Sequence, residues 1–429
     1  MKVIRHSDPD YASALRSLNR RAEASDQVRE VVADVLKQVR SRGDEALLEF
    51  TEKFDGAQLA LPALRVTEAE IAAAVAATDA RTKDALRASH CNVHAFAVAS
   101  LRKPWSMTNA QGAEIGEIYH PFERVGCYVP GGTAPLVSTA IMTVTFAAAA
   151  GCPEIVVCTP CGRDGTVNPG LLTALKIAGA TEIYKIGGAQ AIAAMAYGTM
   201  TIKPVLKIVG PGNSYVVEAK RQAFGVVSID LLPGPSEVVI LADKMANPAF
   251  IAADFLAQAE HGKDSGAGFI TDDESILEAV LQQITEQAAK LGRQAMVQSV
   301  LDKGGFGILV RDMQEGIKLV NDYAPEHLVL IASNQEQLIP QVRTAGAIFV
   351  GNYSPVAIGD FLAGPSHTLP TGGAGKSFPG LMADMFQRRT SIVHLTPESC
   401  AKSEPIVRAF ADVEGLDAHG ESVAIRLRG

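Results

Sequence analysis

The feature of the sequence that most constrains the fold is an alternation of short apolar runs and longer helical runs, which begins at Glu123. Runs such as EIVV (154–157) have strand length, and turns rich in glycine or proline separate them from helical runs such as LLTALKIA (171–178). Alternation of this kind is typical of a parallel sheet with helices on its faces. Because the alternation forms two successive series, we predict an α/β fold with two Rossmann-like parallel-sheet domains.

The two series differ in where their strands and helices are predicted. Strands of the first series are predicted at ERVGCYVPGG, PEIVVCTP, TEIYKIGG, LKIVGPGN and SEVVILAD, with helices at VSTAIMTVTFAAAAG, NPGLLTALKIAG, AQAIAAMAYG and SYVVEAKRQAFG. In the second series, helices are predicted at 248–261, at 274–290 and at NQEQLIPQVRTAG, and strands at GFGILV, HLVLIAS and AIFVGN. These assignments rest on hydrophobic periodicity and on the turn residues between the runs.

The segments outside the two series complete a division of the chain into four regions. Residues from about 8 to 105 are predicted to be mostly helical, and the tail from about Ala383 is predicted to be helical with an extended end, SVAIRLRG. The predicted regions are a helical N-terminal region (1–125), a first αβ domain (126–236), a second αβ domain (237–381) and a C-terminal tail (382–429). Because the tail is separate in sequence from both sheets, we expect it to be domain-swapped and to pack on a partner subunit.

Composition narrows the class of protein. The chain has 429 residues, of which 20% are charged, and its formal net charge is −8, so it lacks the basic surface that nucleic acid or an anionic membrane would require. The longest apolar run, STAIMTVTFAAAAGC, is too short and too rich in Thr and Ala to span a bilayer. The N-terminal residues are polar, and six cysteines in so long a chain argue against a secreted disulfide scaffold. We predict a soluble, cytoplasmic enzyme.

Glycine turns follow three of the predicted strands, in VPGGTAP, IGGAQ and VGPGNS. Ligands bind at the carboxyl ends of strands in open parallel sheets, where glycine lets backbone N–H groups approach a pyrophosphate. Gln190 and Asn213 come directly after two of these turns. None of the turns matches G-x-G-x-x-G or the P-loop, so ordinary tight turns between strand and helix remain the alternative to a nucleotide site.

An amide and an imidazole lie together at the end of a predicted helix, in LAQAEHGKDS. Asn247 and Pro248 suit the start of this helix and Gly262 suits its end. Gln258 and His261, three residues apart, project from neighbouring points of one helix face. A core histidine beside a capping amide is one interpretation, and half of a metal site is the other.

A carboxylate and an imidazole are adjacent in NDYAPEHLVL, immediately before a predicted strand. Pro325 keeps Ala324 out of the helical region, and the side chains of Glu326 and His327 point apart at the strand entrance. A carboxylate that activates water and an imidazole that moves a proton suit general acid–base catalysis. A merely polar strand entrance is the alternative.

Further candidate side chains lie in two loops near the end of the chain. Asp360 and His367 occur in GNYSPVAIGDFLAGPSHTLPTGG, and Glu414 and His419 occur in VEGLDAHGESVAIRL. With Gln258 and His261 from the earlier helix, Asp360 and His419 make an oxygen and nitrogen set suited to zinc, although their spacings have no regular period.

These motifs resemble those of the histidinol dehydrogenase family. The resemblance runs from about residue 8 to the end of the chain and is carried, in order, by YVPGGTAPL, GGAQAIAA, GPGN, EAKRQ, GPSEV, QAEHG, APEHL, GD, HTLPTGG and EGLDAH. It implies one Zn²⁺ per subunit, bound by Gln258, His261, Asp360 and His419, and an acid–base pair of Glu326 and His327. The residues implied to contact substrate are Ser236, Gln258, His261, His327, Asp360, His367, Glu414 and His419. The residues implied to contact NAD, in the first αβ domain, are Tyr128, Gln190 and Asn213.

The resemblance also implies a reaction and an assembly. L-histidinol would be oxidised to L-histidine through histidinal, with two NAD used in succession, in a homodimer whose active site receives Glu414 and His419 from the partner. His327 would take the hydroxyl proton and Glu326 would activate water on the aldehyde. A cysteine thiohemiacetal is the rival route, but no cysteine lies in the ligand motifs, so we prefer water.

One loop departs from the family pattern and keeps a second substrate open. Pro365 and Ser366 stand where many members carry Thr-Asn before the histidine. The alternative is a paralogous NAD-dependent dehydrogenase of another small polar alcohol, such as sulfopropanediol. Glu414 favours an amino-bearing substrate, because a carboxylate pairs with ammonium and repels a sulfonate. A non-catalytic nucleotide-binding protein is a third hypothesis, against which the acid–base pair and the four ligand types argue.

Overall fold

The computed structural model describes residues 1–18, 25–131 and 135–428, and its helices and strands lie within those ranges. The strands are β1 Lys2–Arg5, β2 Trp105–Thr108, β3 Glu114–Pro121, β4 Arg124–Tyr128, β5 Glu154–Thr159, β6 Glu182–Lys185, β7 Lys207–Val209, β8 Ser228–Ile229, β9 Glu237–Ala242, β10 Gly266–Thr271, β11 Gly305–Leu309, β12 His327–Ile331, β13 Ala347–Val350 and β14 Gln387–His394. The helices of the first half are α1 Tyr11–Arg16, α2 Asp26–Arg42, α3 Asp44–Phe50, α4 Glu68–Ala77, α5 Ala80–Ala99, α6 Val137–Ala149, α7 Pro169–Ala178, α8 Gly188–Tyr197 and α9 Ser214–Ala223. Those of the second half are α10 Pro248–Ala259, α11 Glu274–Ala288, α12 Gln294–Lys303, α13 Met313–Tyr323, α14 Gln335–Leu338, α15 Val356–Phe361, α16 Pro397–Glu414 and α17 Asp417–Ala424.

Two parallel sheets share the same strand order. The five-stranded sheet runs β6-β5-β4-β7-β8, and the six-stranded sheet runs β1-β11-β10-β9-β12-β13. In each sheet the chain steps outward over three strands and then returns to the other side of the first, so that β4 and β9 are central. A ligand crevice forms at the carboxyl end of such a sheet, where the direction of winding reverses. The predicted α/β class with two Rossmann-like sheets is confirmed.

Helices cover both faces of the five-stranded sheet. The side chains of β5 alternate between two cores: Val157 packs with α5, α6 and α7, whereas Val156 and Cys158 pack with α2, α8 and α9. The six-stranded sheet alternates in the same way, since Ile240 faces α10 and α11 and Leu241 faces α13. Strands buried on both faces read as continuous apolar runs, which is why the sequence shows them so clearly.

The N-terminal region contributes strands as well as helices. Strand β1 pairs with β11 at the edge of the six-stranded sheet, and Ile4 is buried there. Strands β2 and β3 join β14 in a three-stranded antiparallel sheet, in which β14 and β3 pair along eight residues, Gln387–His394 and Glu114–Pro121. The tail therefore begins by pairing with the N-terminal region of its own chain.

Three local predictions are wrong. The segment SVAIRLRG is not extended: α17 runs to Ala424 and a 3₁₀ turn follows at Ile425–Leu427, since the segment packs on α16 as a continuing helix. The helix predicted from Asn334 to Gly346 is short, because Pro340 cannot donate an i→i−4 bond and α14 passes into a 3₁₀ turn. The tail is largely helical as predicted, in α16 and α17, but its long helix begins at Pro397 and not at about Ala383, because Gln387–His394 forms β14, which pairs with β3.

Candidate active site

The candidate catalytic pair lies at the entrance of β12. Helix α13 ends at Tyr323, and Ala324 adopts a left-handed conformation with φ 55°, the one positive φ of a non-glycine residue in the described ranges. Pro325 disfavours the right-handed helical region for the residue before it, as predicted. Strained backbone of this kind is found at functional sites. The turn delivers Glu326 and His327 into a buried position, with exposed fractions of 6% and 3%.

Glu326 is a buried carboxylic acid held by two donors. Its Oε2 accepts hydrogen bonds from Ser236 Oγ at 2.6 Å and from the Glu237 backbone N–H at 2.8 Å. Burial raises the pKa of Glu326 to about 7, against the opposing effects of His327 and of these two donors. A carboxyl group that exchanges its proton near neutral pH suits a general base.

The ring of His327 is oriented by the main chain. Its Nδ1 lies 3.0 Å from the backbone oxygen of Glu237, and because a carbonyl only accepts, Nδ1 carries the hydrogen. Its Nε2 is buried without a hydrogen-bond partner in the part of the chain that the structure describes, and Asp360 Oδ1 is 3.7 Å away. In the neutral ring, this tautomer leaves Nε2 as the atom that can accept a proton.

His367, which follows α15, contacts α6 of the five-stranded sheet and lies beside this pair. Its Nδ1 donates to the backbone oxygen of Asp360 at 3.0 Å, and its Nε2 accepts from Thr139 Oγ1 on α6 at 3.2 Å. Burial lowers the pKa of His367, opposed by Asp360 and assisted by the neighbouring imidazoles of His327 and His261. Four of the predicted side chains are therefore close enough to interact electrostatically: His261, His327, Asp360 and His367. Thr139 had no signal in the sequence, because it lies among the apolar residues of α6.

Gln258 and His261 are presented by the end of α10. Asn247 caps this helix by accepting from the Ala249 N–H at 2.9 Å, and Pro248 occupies its first turn, as predicted. Gln258 is 3% exposed, and its Nε2 is buried without a partner among the described residues. His261 follows the helix and is exposed.

The donor set suits zinc, yet one chain does not complete it. An orphaned amide, a carboxylate on α15 and an exposed imidazole are ligand types that Zn²⁺ accepts. Within the described ranges, however, no three His, Cys, Asp or Glu side chains come together as a metal site. His419 and Glu414 lie exposed on α17 and α16, which pack on each other, and neither belongs to a group of three possible ligands among the described residues.

The three side chains predicted to contact NAD lie at the carboxyl edge of the five-stranded sheet. Tyr128 ends β4 and its hydroxyl accepts from the Gly188 N–H at 3.0 Å; burial raises the pKa of Tyr128 to about 12. Gln190 is 1% exposed, and neither atom of its amide has a partner among the described residues. Asn213 caps α9 by accepting from the N–H groups of Tyr215 and Val216. Part of the predicted turn VPGGTAP, residues 132–134, lies outside the described residues.

Backbone groups are the part of the site that the sequence could not reveal. The Glu237 main chain holds both members of the catalytic pair, since its N–H donates to Glu326 and its carbonyl accepts from His327. Its own side chain accepts from the Gly372 N–H at 3.0 Å, which ties the GPSEV turn to the later loop. Any residue type supplies backbone groups, so only the fold places them.

Comparison with known proteins points to one family. The protein-family model described as histidinol dehydrogenase matches residues 18–427 of this chain. Among curated relatives, the histidinol dehydrogenase of Syntrophotalea carbinolica is 42% identical over 429 residues, covering 100% of this chain and 99% of the relative. That of Brucella abortus is 43% identical over 426 residues, with 99% of each covered. The crystal structure of histidinol dehydrogenase from Elizabethkingia anophelis matches with a TM-score of 0.95 and 36% identity, covering 100% of this chain and 98% of that one. No helix among the described residues is long and apolar enough to cross a membrane.

Proposed function

Because the chain belongs to the histidinol dehydrogenase family, a family of oxidoreductases, we propose that it oxidises L-histidinol to L-histidine through histidinal, with NAD and zinc as cofactors. One observation carries the proposal most directly. A buried imidazole with an unpartnered Nε2 lies beside a buried carboxyl group whose pKa is near neutrality. Two consecutive oxidations need one proton acceptor for an alcohol and one for water, and this pair supplies both.

The first oxidation uses His327. Its Nε2 accepts the proton of the substrate hydroxyl while the hydride leaves the same carbon, which yields the aldehyde. The Glu237 carbonyl fixes the tautomer that makes Nε2 the acceptor, so the ring needs no rearrangement before the step. Bound NAD supplies the hydride acceptor, and bound zinc supplies a charged anchor that positions the amino and imidazole groups of the substrate.

The second oxidation uses Glu326. Its carboxylate removes a proton from water as the water oxygen bonds to the aldehyde carbon, and the resulting hydrate anion would become the acid by losing the second hydride to a second NAD. The rival thiohemiacetal route requires a thiolate. Cys127 and Cys158 are buried in the five-stranded sheet, and burial raises the pKa of Cys158 to about 12. Cys91 is exposed on α5 and Cys400 lies on α16, and burial raises the pKa of Cys152 to about 11 and also raises that of Cys161, so water remains the preferred nucleophile.

The metal would be held by Gln258, His261 and Asp360 of one chain together with His419 of a second chain. Gln258 is 3% exposed at the end of α10, so its amide oxygen would be a ligand held inside the protein, whereas its partnerless Nε2 is a donor and would not bind the cation. A homodimer also accounts for the exposed apolar side chains of α16, among which Phe410 is 64% and Val413 is 87% exposed. The cytoplasmic location inferred from composition stays a prediction.

The departure at Pro365 and Ser366 leaves the proposed substrate in place. The Ser366 hydroxyl donates to the Met142 carbonyl at 3.4 Å and accepts from the Thr368 N–H at 3.1 Å. Both bonds hold Ser366 within the loop and its support, with its donor and one acceptor lone pair in use. The departure therefore does not by itself point to an anionic alcohol such as sulfopropanediol.

The test is the yield of NADH from limiting L-histidinol, measured before chelation, after chelation and after return of zinc. Two NADH per histidinol, lost with the metal and restored by zinc, is the expected result. One NADH per histidinol would refute the second oxidation. No NADH from histidinol, with NADH formed from an anionic diol, would refute the substrate and favour the paralogous dehydrogenase.

A further inference from the structure

An acidic side chain that the sequence did not single out lies at the carboxyl edge of the five-stranded sheet. Helix α3 continues into a single π-helical turn, Thr51–Asp55, and Gly56 follows with φ 72°. π-Helical turns are rare and frequently occur at functional sites. This turn carries the side chain of Asp55 toward the loop between β6 and α8.

The carboxylate of Asp55 packs against the backbone of Gly187, in the glycine turn at the start of α8. A Cβ on Gly187 would lie 3.0 and 3.1 Å from the two carboxylate oxygens of Asp55, so the backbone is approached closely there. The neighbouring amide, that of Gly188, donates to the hydroxyl of Tyr128. Oδ2 of Asp55 is buried and has no hydrogen-bond partner in the part of the chain that the structure describes. Burial raises the pKa of Asp55 to about 6, against the effect of the Gly187 amide.

A second unsatisfied group lies at the same turn. A Cβ on Gly188 would lie 2.7 Å from Oε1 of Gln190, so this side chain folds back over the start of α8. Gln190 is almost completely buried, and both of its amide atoms lack partners among the described residues. A buried amide and a carboxylate oxygen that both lack partners mark a place for a polar ligand with hydroxyl donors.

The position of Asp55 in the five-stranded sheet indicates which half of a bound dinucleotide would lie beside it. Strand β4 leads to α6, whose Thr139 contacts His367 of the catalytic site, so the reactive end belongs near β4. Asp55 lies at the turn that follows β6, the edge strand of the sheet, on the side of the Tyr128 hydroxyl away from α6. A dinucleotide with its nicotinamide at the catalytic site therefore has its adenosine half within reach of Asp55.

We propose that Asp55 selects NAD over NADP by accepting hydrogen bonds from the hydroxyls of the adenosine ribose. The inference rests on the proposed use of a nicotinamide cofactor and adds its specificity. A 2′-phosphate would remove the donor and place two negative charges against the carboxylate. Arg163 is exposed beside this site, with Nε 3.5 Å from the position of a Cβ on Gly56, and can pair with such a phosphate once the carboxylate is neutralised.

The experiment is a fluorescence titration of the protein with NADH and with NADPH at pH 8, where Asp55 is ionised. The wild-type chain should bind NADH at least about tenfold more tightly than NADPH, and Asp55→Asn should reduce that ratio about tenfold. Glu52→Gln is the matched control, because it removes one exposed carboxylate from the same π-helical turn and should leave the ratio unchanged. Asp55→Glu keeps the charge and should keep the preference for NADH.

The outcomes separate this inference from the proposed function. A wild-type chain that binds neither cofactor would overturn the proposed use of NAD. Binding of NADH with an unchanged ratio in Asp55→Asn would overturn the role of Asp55 alone. Equal weakening of both cofactors would show that Asp55 only supports α8, which also overturns selection. If Asp55→Asn does not fold, the ratio is measured in folded Asp55→Glu, where loss of the preference for NADH although the charge is kept would overturn selection by the carboxylate.

Discussion

At the scale of single residues, the site is built from buried polar groups whose bonding is incomplete. Glu326 has both donors on one oxygen, and His327 has a fixed Nδ1 and an unpartnered Nε2. Buried polar groups without partners lower the free energy of unfolding, and the packing of the surrounding elements offsets this loss. The same groups are available to bind a substrate.

The first prediction concerns the separate roles of the pair. Glu326→Gln keeps the shape of the side chain and its acceptor oxygen but cannot take a proton from water. We expect oxidation of histidinal to fall by about 10²–10⁴-fold, with a smaller loss in oxidation of histidinol. Single-turnover measurements with each substrate would show this, with Glu336→Gln as the exposed control. Equal losses in both steps would argue against the division of roles.

The second prediction concerns pH and stability. The pKa of Glu326 is raised in the folded chain from 4.5 to about 7, so the unfolded chain loses this proton first as pH rises. The contribution of Glu326 to the free energy of unfolding is therefore fully present below about pH 4.5 and is lost as the pH rises to about 7. Glu326→Gln should raise the stability relative to wild type by about 3 kcal/mol more at pH 8 than at pH 4.5. Melting temperatures at the two pH values would check it; a difference that does not change with pH would contradict it.

At the scale of elements, sequence and structure agree where local chemistry decides. Asn247 and Pro248 start α10 as predicted, and continuous apolar runs mark the central strands. Disagreement occurs where distant pairing decides. Gln387–His394 is a strand because β3 lies beside it, and the end of the chain is helical because α16 receives it. The metal and cofactor residues came from a resemblance to a family, since no local pattern joins Gln258 to Asp360.

The third prediction belongs to the junction between α13 and β12. Ala324 has a positive φ, which a β-branched side chain adopts with particular difficulty. Ala324→Val should lower the free energy of unfolding by about 1–2 kcal/mol more than Ala88→Val, which changes an exposed position of α5. It should also reduce kcat, because the junction aims Glu326. Denaturant titration and steady-state kinetics would test both effects, and normal values in both would mean that the junction tolerates relaxation.

At the scale of the whole molecule, the strand order was beyond the sequence. Alternation predicts parallel sheets, but it does not say that β1 joins β11 or that the two sheets reverse at their central strands, β4 and β9. Those pairings depend on long-range contacts that no window of sequence contains. The sequence likewise does not show whether the tail contacts its own chain or a partner, and Glu414 and His419 are exposed in a single chain.

The fourth prediction tests the shared site by mixing two inactive variants. If Glu326 and His419 of one site come from different chains, a heterodimer of Glu326→Ala and His419→Ala contains one intact site. Random mixing should then restore about a quarter of the wild-type activity, because half of the dimers are mixed and each has one working site. If heterodimers form and activity stays absent, both residues belong to one chain.

The pairing of β1 with β11 also sets an order of events during synthesis. Lys2 lies opposite Phe306, so β1 leaves the ribosome before its partner β11, which is synthesised some 300 residues later. At about 5–20 residues per second, that delay is on the order of 15–60 s. The five-stranded sheet, whose strands lie between residues 124 and 229, can form within this interval, whereas the six-stranded sheet cannot acquire its outer strand. The nascent chain therefore carries β1 without its native partner until translation is well advanced.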